Sequence, residues 1–184
     1  FANGIWKWDG SAWSQITHSV PESMTAAGSV LYCDFGAGGI WKWDGSAWSL
    51  ITHGNAQSIR VTGLPWSPGS ILYGDFGAGG MAGGIWKWDG SAWSQITSSD
   101  PERIRASSSI LYGTFGAGGI WKWDGAWSQI TQSNPEDMRA WGQSILYCDF
   151  GPGGIWVWNG SVWSQITQSD PQSMVIADTI LYCD

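Results

Sequence analysis

One tryptophan-rich motif, written five times, constrains this chain more than any other feature. It reads Gly-Ile-Trp-Lys-Trp-Asp-Gly-Ser-Ala-Trp-Ser-Gln-Ile-Thr from Gly4, and it returns with small changes at Gly39, Gly84, Gly119 and Gly154. The copies hold 15 of the 17 tryptophans. Such a repeat is typical of solenoids, propellers and other arrays, in which neighbouring units bury a shared core. The repeat therefore decides the architecture before any single residue does.

The repeated unit is about 35 residues long. The isoleucines that follow the first glycine of each copy are spaced by 35, 45, 35 and 35 residues, at Ile5, Ile40, Ile85, Ile120 and Ile155. The long interval holds two insertions, 63–68 and 81–84, and without these ten residues it also measures 35. Loops tolerate insertions in this way, so these segments are predicted to be turns.

Each unit is predicted to form four short strands. In the third unit these are 103–106, 109–113, 120–123 and 127–131, joined by a glycine-rich connection at 115–119 and an Asp124-Gly125 turn. Tryptophan and isoleucine favour pleated strands, and Asp-Gly between two such runs is typical of a tight hairpin. No window shows a sustained helical period. The chain is therefore predicted to be all-β.

The two ends of the chain complement each other. It ends Leu181-Tyr182-Cys183-Asp184 and begins Phe1-Ala2-Asn3-Gly4, which together resemble the sequence before every internal Ile-Trp. A unit split in this way suits a ring, because pairing its halves removes the open sheet edges. We therefore predict a five-bladed β-propeller with four short antiparallel strands per blade, closed by pairing of the N- and C-terminal strands in one shared blade. It is predicted to be a single domain, 1–184, with repeats 5–39, 40–84, 85–119, 120–154 and 155–184, the last completed by 1–4.

Composition narrows the classes of partner. The net charge is −7, and only 12% of the residues are charged. A nucleic-acid partner requires a basic stripe, so no nucleic-acid binding is expected. No apolar run approaches the ~20 residues of a membrane span, so no membrane insertion is expected. We expect a monomer.

The three cysteines, Cys33, Cys148 and Cys183, occupy one register position of the repeat. An odd number of cysteines at equivalent strand positions is a poor disulfide framework. We therefore predict three small, buried, free thiols.

Acidic side chains recur on the loops that join strands two and three and strands four and one. These loops are predicted to share one face of the propeller. Carboxylates and backbone amides there could bind a hydroxyl-rich ligand, and a solvated, solubilising rim is the alternative. The candidate ligand-binding residues on these loops are Asp34, Asp75, Asp149, Asp184, Glu22, Glu102, Glu136, His18 and His53.

The tryptophans divide into two groups. The 15 in the motif are predicted to fill the space between blades, because aromatic rings bury the largest areas; sugar stacking on partly exposed rings is the alternative. Trp66 and Trp141 have no counterpart in other units and lie between strands one and two. An unrepeated tryptophan in a loop suits ligand contact as well as local packing, so both join the candidate ligand-binding residues.

No catalytic constellation is visible. The two histidines lie in neighbouring units and do not make a metal triad, and no Ser/His/Asp or Cys/His set is indicated. The glycine-rich stretch 77–80 precedes a strand rather than a helix, unlike a dinucleotide-binding loop. Arg60, Arg105 and Arg139 align on the innermost strand, where they either point into the central channel or pair with acidic neighbours. We expect no enzymatic activity, no metal site and no cofactor.

The order of motifs within the unit resembles the tectonin repeat. Ile-Trp-Lys-Trp-Asp-Gly-x-x-Trp-x-Gln-Ile is followed by Ile-Arg-Ala and then by Ile-Leu-Tyr-Gly. The predicted blade number is similar to that of the tachylectin type of lectin propeller, although the unit is shorter. The Trp-Asp-Gly-x-x-Trp turn also resembles that of the fucose-binding six-bladed propellers.

This resemblance implies a multivalent, non-enzymatic carbohydrate-binding protein with equivalent shallow sites between blades and with glycans or glycoconjugates as partners. Five similar units would convert weak single-site affinity into avidity on a glycan-coated surface. The alternatives are a protein-interaction scaffold and a recently amplified propeller without a selected ligand. The lectin interpretation favours a secreted or cell-surface location, whereas three unpaired cysteines are compatible with the cytoplasm.

Overall fold

A computed structural model describes residues 3–63, 70–78, 83–177 and 179–184. Its 20 strands are all in antiparallel pairs and belong to five units of four strands. The first strand of each unit contacts the first strand of the following unit along the chain, from the first unit to the fifth. The fold is a five-bladed β-propeller, which confirms the predicted fold class.

Four units form complete sheets in which strands that are consecutive in the sequence are also neighbours. The first sheet contains β3 (Ser23–Ala27), β4 (Val30–Asp34), β5 (Ile40–Trp43) and β6 (Trp48–Thr52). The second contains β7 (Ser58–Thr62), β8 (Ile71–Asp75), β9 (Ile85–Trp88) and β10 (Trp93–Thr97). The third contains β11 (Arg103–Ala106), β12 (Leu111–Thr114), β13 (Ile120–Trp123) and β14 (Trp127–Thr131). The fourth contains β15 (Asp137–Trp141), β16 (Ile145–Asp149), β17 (Ile155–Trp158) and β18 (Trp163–Thr167).

The fifth unit is divided between the chain ends. Its inner strands are β19 (Met174–Ala177) and β20 (Ile180–Cys183), and its outer strands are β1 (Ile5–Trp8) and β2 (Trp13–Thr17). Three short 3₁₀ helices, Gly36–Gly38, Gly116–Gly118 and Gly151–Gly153, follow β4, β12 and β16. The part of the chain that the structure describes contains no helix long and apolar enough to cross a membrane.

The hairpin between the third and fourth strands is fixed by its aspartate. In the first sheet the Asp44 carboxylate accepts hydrogen bonds from the Ser46 and Ala47 backbone N–H groups, each at 2.8 Å. These bonds lower the pKa of Asp44 to about 2. Trp43 and Trp48 are then directly opposite each other, with ring centroids 5.4 Å apart. The repeated Asp-Gly turn thus sets the register that pairs two tryptophans on one face.

The glycine-rich connection between the second and third strands is a tight 3₁₀ turn. Phe35 donates its backbone N–H to the Gly39 carbonyl at 3.0 Å, which closes the turn. Gly39 has a φ of 81°, and a Cβ there would lie 2.2 Å from the Thr52 carbonyl oxygen. Only glycine fits this position, because both the dihedral angle and the close approach of β6 exclude a side chain.

The core lies between adjacent sheets rather than within one. Ile40 from the first unit packs with Ile59, Leu72 and Phe76 from the second, and all four are buried. Trp93 of the second unit adds to this cluster, and it meets the Phe76 ring edge-on at a centroid distance of 5.5 Å. The predicted packing role of the motif tryptophans is therefore correct for this ring.

The predicted pairing of the terminal strands is not formed. Among the residues that the structure describes, β1 pairs only with β2 and β20 only with β19, so the fifth unit consists of two separate hairpins. Cys183 on β20 is consequently exposed, whereas its counterparts Cys33 and Cys148 are buried. Inside the chain the 3₁₀ turn holds strands two and three together; no peptide links β20 to β1, so their association lacks that constraint. The prediction of three buried thiols is thus correct for two and wrong for Cys183.

Candidate functional site

A groove recurs between adjacent units, at the end of the fourth strand. On one side it is lined by the end of a fourth strand and the linker that follows it, and on the other by the 3₁₀ turn and outer strands of the next unit. Between the third and fourth units its volume is about 540 Å³, and its lining is Thr131, Ser133, Asn134, Phe150, Gly153, Trp156 and Trp163. We call this type of cavity the inter-unit groove.

Two further inter-unit grooves share most of this lining by register. The groove between the second and third units has a volume of about 490 Å³ and is lined by Thr97, Ser99, Asp100, Phe115, Trp121 and Trp127. The groove between β2 and the first unit has a volume of about 380 Å³ and is lined by Thr17, Ser19, Phe35, Gly38, Trp41 and Trp48. The repeat in sequence thus produces a repeat of cavities.

In two of the three grooves, backbone carbonyls hold both tryptophans of the aromatic wall, whereas in the third the Trp48 indole N–H is buried and has no hydrogen-bond partner among the described residues. In the groove between the second and third units, Trp121 donates its indole N–H to the Gly118 carbonyl at 2.9 Å. Trp127 donates its indole N–H to the Ile96 carbonyl of the preceding unit at 2.9 Å. Phe115 meets the Trp127 ring edge-on at 5.7 Å. Because these indole N–H groups are bound within the protein, the rings offer a ligand mainly their apolar surfaces.

The opposite wall of each groove carries hydroxyl groups. The Thr131 hydroxyl accepts a hydrogen bond from the Ser133 backbone N–H at 3.1 Å, which fixes the start of the linker. The Thr97 hydroxyl and the Ser99 N–H make the same bond at 3.0 Å. The serine hydroxyl that follows lines the groove in all three cases. At the equivalent position between the first and second units the chain has Gly54 instead, so a hydroxyl is lost there.

The aspartates that end the second strands lie inside the protein. Asp34 is fully buried and accepts hydrogen bonds from the Gly36 N–H at 2.9 Å and the Ala56 N–H at 2.8 Å. Its carboxylate thereby connects the first unit to the linker of the next. We assign Asp34 to this structural contact, and its predicted contact with a ligand is not supported by its burial.

Asp75 and Asp149 occupy the same position but have one backbone partner fewer. Each is buried and accepts a hydrogen bond from the second residue that follows, Gly77 at 3.1 Å and Gly151 at 2.9 Å. Where Ala56 donates to Asp34, the later linkers have Pro101 and Pro171, which carry no N–H. Burial raises the pKa of Asp75 to about 6.

One acidic cluster of the predicted rim is assembled in the structure. Carboxylate oxygens of Glu136, Asp149 and Asp170 all lie within 4.8 Å of one another. Burial raises the pKa of Asp149, and the negative charges of Asp170 and Asp137 raise it further. Such a group could hold a divalent cation, a possibility that the sequence analysis did not foresee because Asp170 was not singled out.

The remaining candidate residues lie on the loops, except that Trp141, predicted to lie in a loop, is the last residue of β15 and pairs with Ile145. Asp184 is exposed and accepts the Ser173 backbone N–H at 2.8 Å, and the Glu102 carboxylate accepts the Asn134 side-chain amide at 2.8 Å. Glu22 lies over Gly36, where a Cβ would meet its carboxylate oxygen. Trp66 lies outside the described residues. The exposed candidate side chains that line none of the three grooves are His18, His53, Glu22, Glu102, Glu136, Asp184 and Trp141.

Sequence reasoning missed the polar side of the grooves. The residues concerned are Ser19, Ser99, Ser133, Asp100 and Asn134. Their signal was the Thr-x-Ser sequence that follows the fourth strand, which occurs at Thr17, Thr97 and Thr131 and again at Thr167. From this segment only His18 and His53 were predicted to contact a ligand, whereas the fold places the serine that follows opposite the tryptophans of the next unit.

No family model and no curated protein sequence matches this chain. Among solved structures, it is similar to the computationally designed Ika8 protein, with a TM-score of 0.57 and 14% identity over 91% of this chain. It is also similar to the GH74 xyloglucanase from Xanthomonas campestris, with a TM-score of 0.60 and 16% identity over 84% of this chain. A further similarity, to the Niastella koreensis GH74 enzyme, has a TM-score of 0.45 and 20% identity and covers 76% of this chain.

The chain spans only part of these proteins. It covers 56% of the designed protein, 26% of the xyloglucanase and 28% of the Niastella enzyme. At these identities, the two similarities with the higher TM-scores support the β-propeller fold and nothing finer.

Proposed function

We propose that this protein is a multivalent, non-enzymatic lectin that binds sugars in the inter-unit grooves. The observation that carries the proposal is the repeated pairing of an indole wall with a hydroxyl-bearing wall across one open cavity. Sugars present apolar C–H faces and a rim of hydroxyl groups, and such a cavity is complementary to both. The motif resemblance to tectonin and tachylectin-type propellers supports the same class of ligand.

The polar residues of each groove would set which sugar is bound. Asn134 supplies both a donor and an acceptor in one groove, whereas Asp100 supplies only an acceptor in the next. The third groove has Val20 at that position, which is not polar. We therefore propose that the three grooves share a ligand class but differ in affinity.

Weak single sites become useful through repetition. An open groove excludes water only partly, so a single sugar is held weakly. Several grooves on one rigid scaffold can engage several sugars of one surface, and the second binding event then occurs at a high effective concentration. We propose glycans or glycoconjugates on a surface as the partners, with a monomer sufficient for avidity.

Saturation-transfer difference NMR with a panel of free monosaccharides tests groove binding, because the method detects weak ligands. We expect signal transfer from the protein to the ring protons of at least one sugar. A triple variant, Ser19→Ala with Ser99→Ala and Ser133→Ala, removes the groove hydroxyls and should reduce that transfer. The matched control removes three exposed hydroxyls of the fourth strands that do not line a groove, with Ser14→Ala, Ser94→Ala and Ser128→Ala. Absence of transfer for every sugar, or equal loss in both triple variants, would contradict groove binding.

A further inference from the structure

The positive charges of this acidic protein are separated by type. The four lysines lie on the third strands, at Lys7, Lys42, Lys87 and Lys122, whereas the four arginines lie on the first strands, at Arg60, Arg103, Arg105 and Arg139. First strands of consecutive units contact one another. The arginines of three consecutive units are therefore brought toward one region, in a chain with a net charge of −7.

Three of the arginines, Arg60, Arg105 and Arg139, lie at the same register position on adjacent first strands. Asp137 places one carboxylate oxygen 2.5 Å from Arg139 Nη1 and 3.6 Å from Arg105 Nη2. Burial lowers the pKa of Arg105 to about 10, and the charges of Arg60 and Arg139 contribute to that shift. Burial also lowers the pKa of Arg60, again with a contribution from Arg139. Three like charges thus share one partly buried region.

The surrounding backbone orients two of these groups. Arg105 donates its Nε–H to the Met138 carbonyl at 3.0 Å, and Arg139 donates its Nε–H to the Met174 carbonyl at 2.9 Å. Each guanidinium thereby bridges to the first strand of the next unit and is held in a fixed plane. Within the described ranges, the one hydrogen bond of the Arg60 side chain goes to the neighbouring carbonyl of Ile59, at 2.6 Å.

The three guanidinium groups have few acidic side chains within ion-pair distance. Within the described residues, Asp137 is the one acidic side chain within ion-pair distance of these arginines. Three guanidinium groups thus have one carboxylate within ion-pair distance, and the carboxylates of Glu136, Asp149 and Asp170, which share a cavity with Asp137, lie beyond that distance. An arginine has five N–H donors in a planar fork that matches the oxygens of a tetrahedral anion. A clustered and oriented set of this kind has the chemistry of an anion site.

We propose that Arg60, Arg105 and Arg139 form a site for a tetrahedral oxyanion, either phosphate or sulfate, free or as a monoester on a larger molecule. The site lies on the first strands and is separate from the inter-unit grooves. Oxyanion binding there therefore does not depend on whether the grooves bind sugars. An oxyanion there would offset the guanidinium charges and join three units.

Thermal unfolding of the full chain in increasing sodium sulfate tests this site, with sodium chloride at matched ionic strength as the reference. We expect the midpoint to rise saturably, by roughly 3 to 6 °C at about ten times the dissociation constant. Arg60→Met should abolish most of that rise without lowering the midpoint in chloride, because Arg60 makes only a local bond. Lys87→Met, which makes the same charge change in the same unit, should retain the rise.

Measurements with other anions identify the ligand, and a second variant covers the case in which Arg60→Met does not fold. Inorganic phosphate and a sugar monosulfate replace sulfate: a rise with the inorganic ions alone indicates a free-anion site, and a rise with the monosulfate as well indicates that a larger molecule is accepted. Arg60→Lys keeps the charge and should keep part of the rise if Arg60→Met fails to fold. No saturable rise in the wild type, or an equal rise in a folded Arg60→Met variant, would overturn the proposal.

Discussion

At the residue scale, one backbone N–H group changes how costly it is to keep a buried aspartate ionised. Asp34 has two backbone donors, Gly36 and Ala56, whereas Asp75 has Gly77 and faces a proline where the second donor would be. A buried carboxylate needs several donors to stay ionised at low cost. The difference between the two sites is thus a difference of one hydrogen bond.

Replacing Asp75 by asparagine should stabilise the fold at neutral pH. Its pKa is raised to about 6 from 3.8, so the protonated acid favours folding below the unfolded pKa and that contribution is lost as the pH rises through 6. At pH above 6 the ionised group destabilises the fold by about 1 to 2 kcal/mol, after allowance for partial solvation. Asp75→Asn keeps an oxygen for the Gly77 N–H and removes the charge. Urea unfolding from pH 5 to pH 8, in about unit steps, should show a gain that grows as the pH rises.

Asp34→Asn is the matched control for this prediction. Gly36 and Ala56 donate to different oxygens of the Asp34 carboxylate, and an asparagine replaces one of these oxygens with an NH₂ group, so one buried N–H loses its partner. We expect a loss of about 1 kcal/mol at pH 7. If Asp75→Asn is less stable than the wild type above pH 6, or its gain does not change with pH, the account of this position is wrong.

At the element scale, the tight turn between the second and third strands holds these two strands side by side in each complete sheet. Gly119 has a φ of 70°, and a Cβ on it would lie 2.1 Å from the Thr131 carbonyl oxygen of the neighbouring β14. Gly125, in the hairpin of the same unit, also has a positive φ of 118°, but a Cβ there would meet nothing within 4 Å. The two glycines share a conformational requirement and differ in crowding.

Gly119→Ala should therefore cost much more stability than Gly125→Ala. The left-handed conformation costs about 1 to 3 kcal/mol for a residue with a side chain, and overpacking against β14 adds about 1 to 3 kcal/mol. Gly125→Ala has only the first of these costs. Thermal unfolding of the two variants side by side measures the difference, and equal losses would show that crowding by Thr131 is unimportant.

The strands were predictable because the sequence carries their boundaries. In the third unit, strands one, three and four coincide with the prediction, since each is bounded by a Pro, Gly or Asp-Gly signal. The second strand begins at Leu111 instead of residue 109, because the Ser107 N–H donates to the Ile110 carbonyl at 2.9 Å and forms a turn. A turn of this kind gives only a weak sequence signal, because the segment 107–109 consists of serines.

The site was less predictable, because a groove is made by two units. Glu136 and Asp149 were correctly expected to share a face, but burial of Asp34 depends on how the linker of the next unit crosses it. Ser99 and Trp121 lie 22 residues apart in the sequence, and only the packing of one sheet on the next places them across one cavity. The predicted pairing of β20 with β1 was not found for a related reason. The two sequences are complementary, but the chain has no turn that connects these strands.

At the scale of the whole molecule, repetition connects packing to function. The aromatic residues that fill the space between sheets also form the walls of the grooves, so each added unit adds a potential site as it adds core. Departures from the repeat then distinguish the sites, as Gly54 does by removing a hydroxyl from one position. If the grooves bind sugars as proposed, binding strength would come from the number of grooves more than from the depth of any one.

Binding of the fluorescently labelled protein to a glycan array printed at high and low density tests the central claim most directly. Multivalent groove binding predicts strong retention on one class of terminal sugar at high density, a steep loss at low density, and release by an excess of the free monosaccharide. A folded protein that binds no glycan at either density would contradict the lectin account and would favour a protein-interaction scaffold or a propeller without a selected ligand. Equal binding at both densities would contradict multivalency.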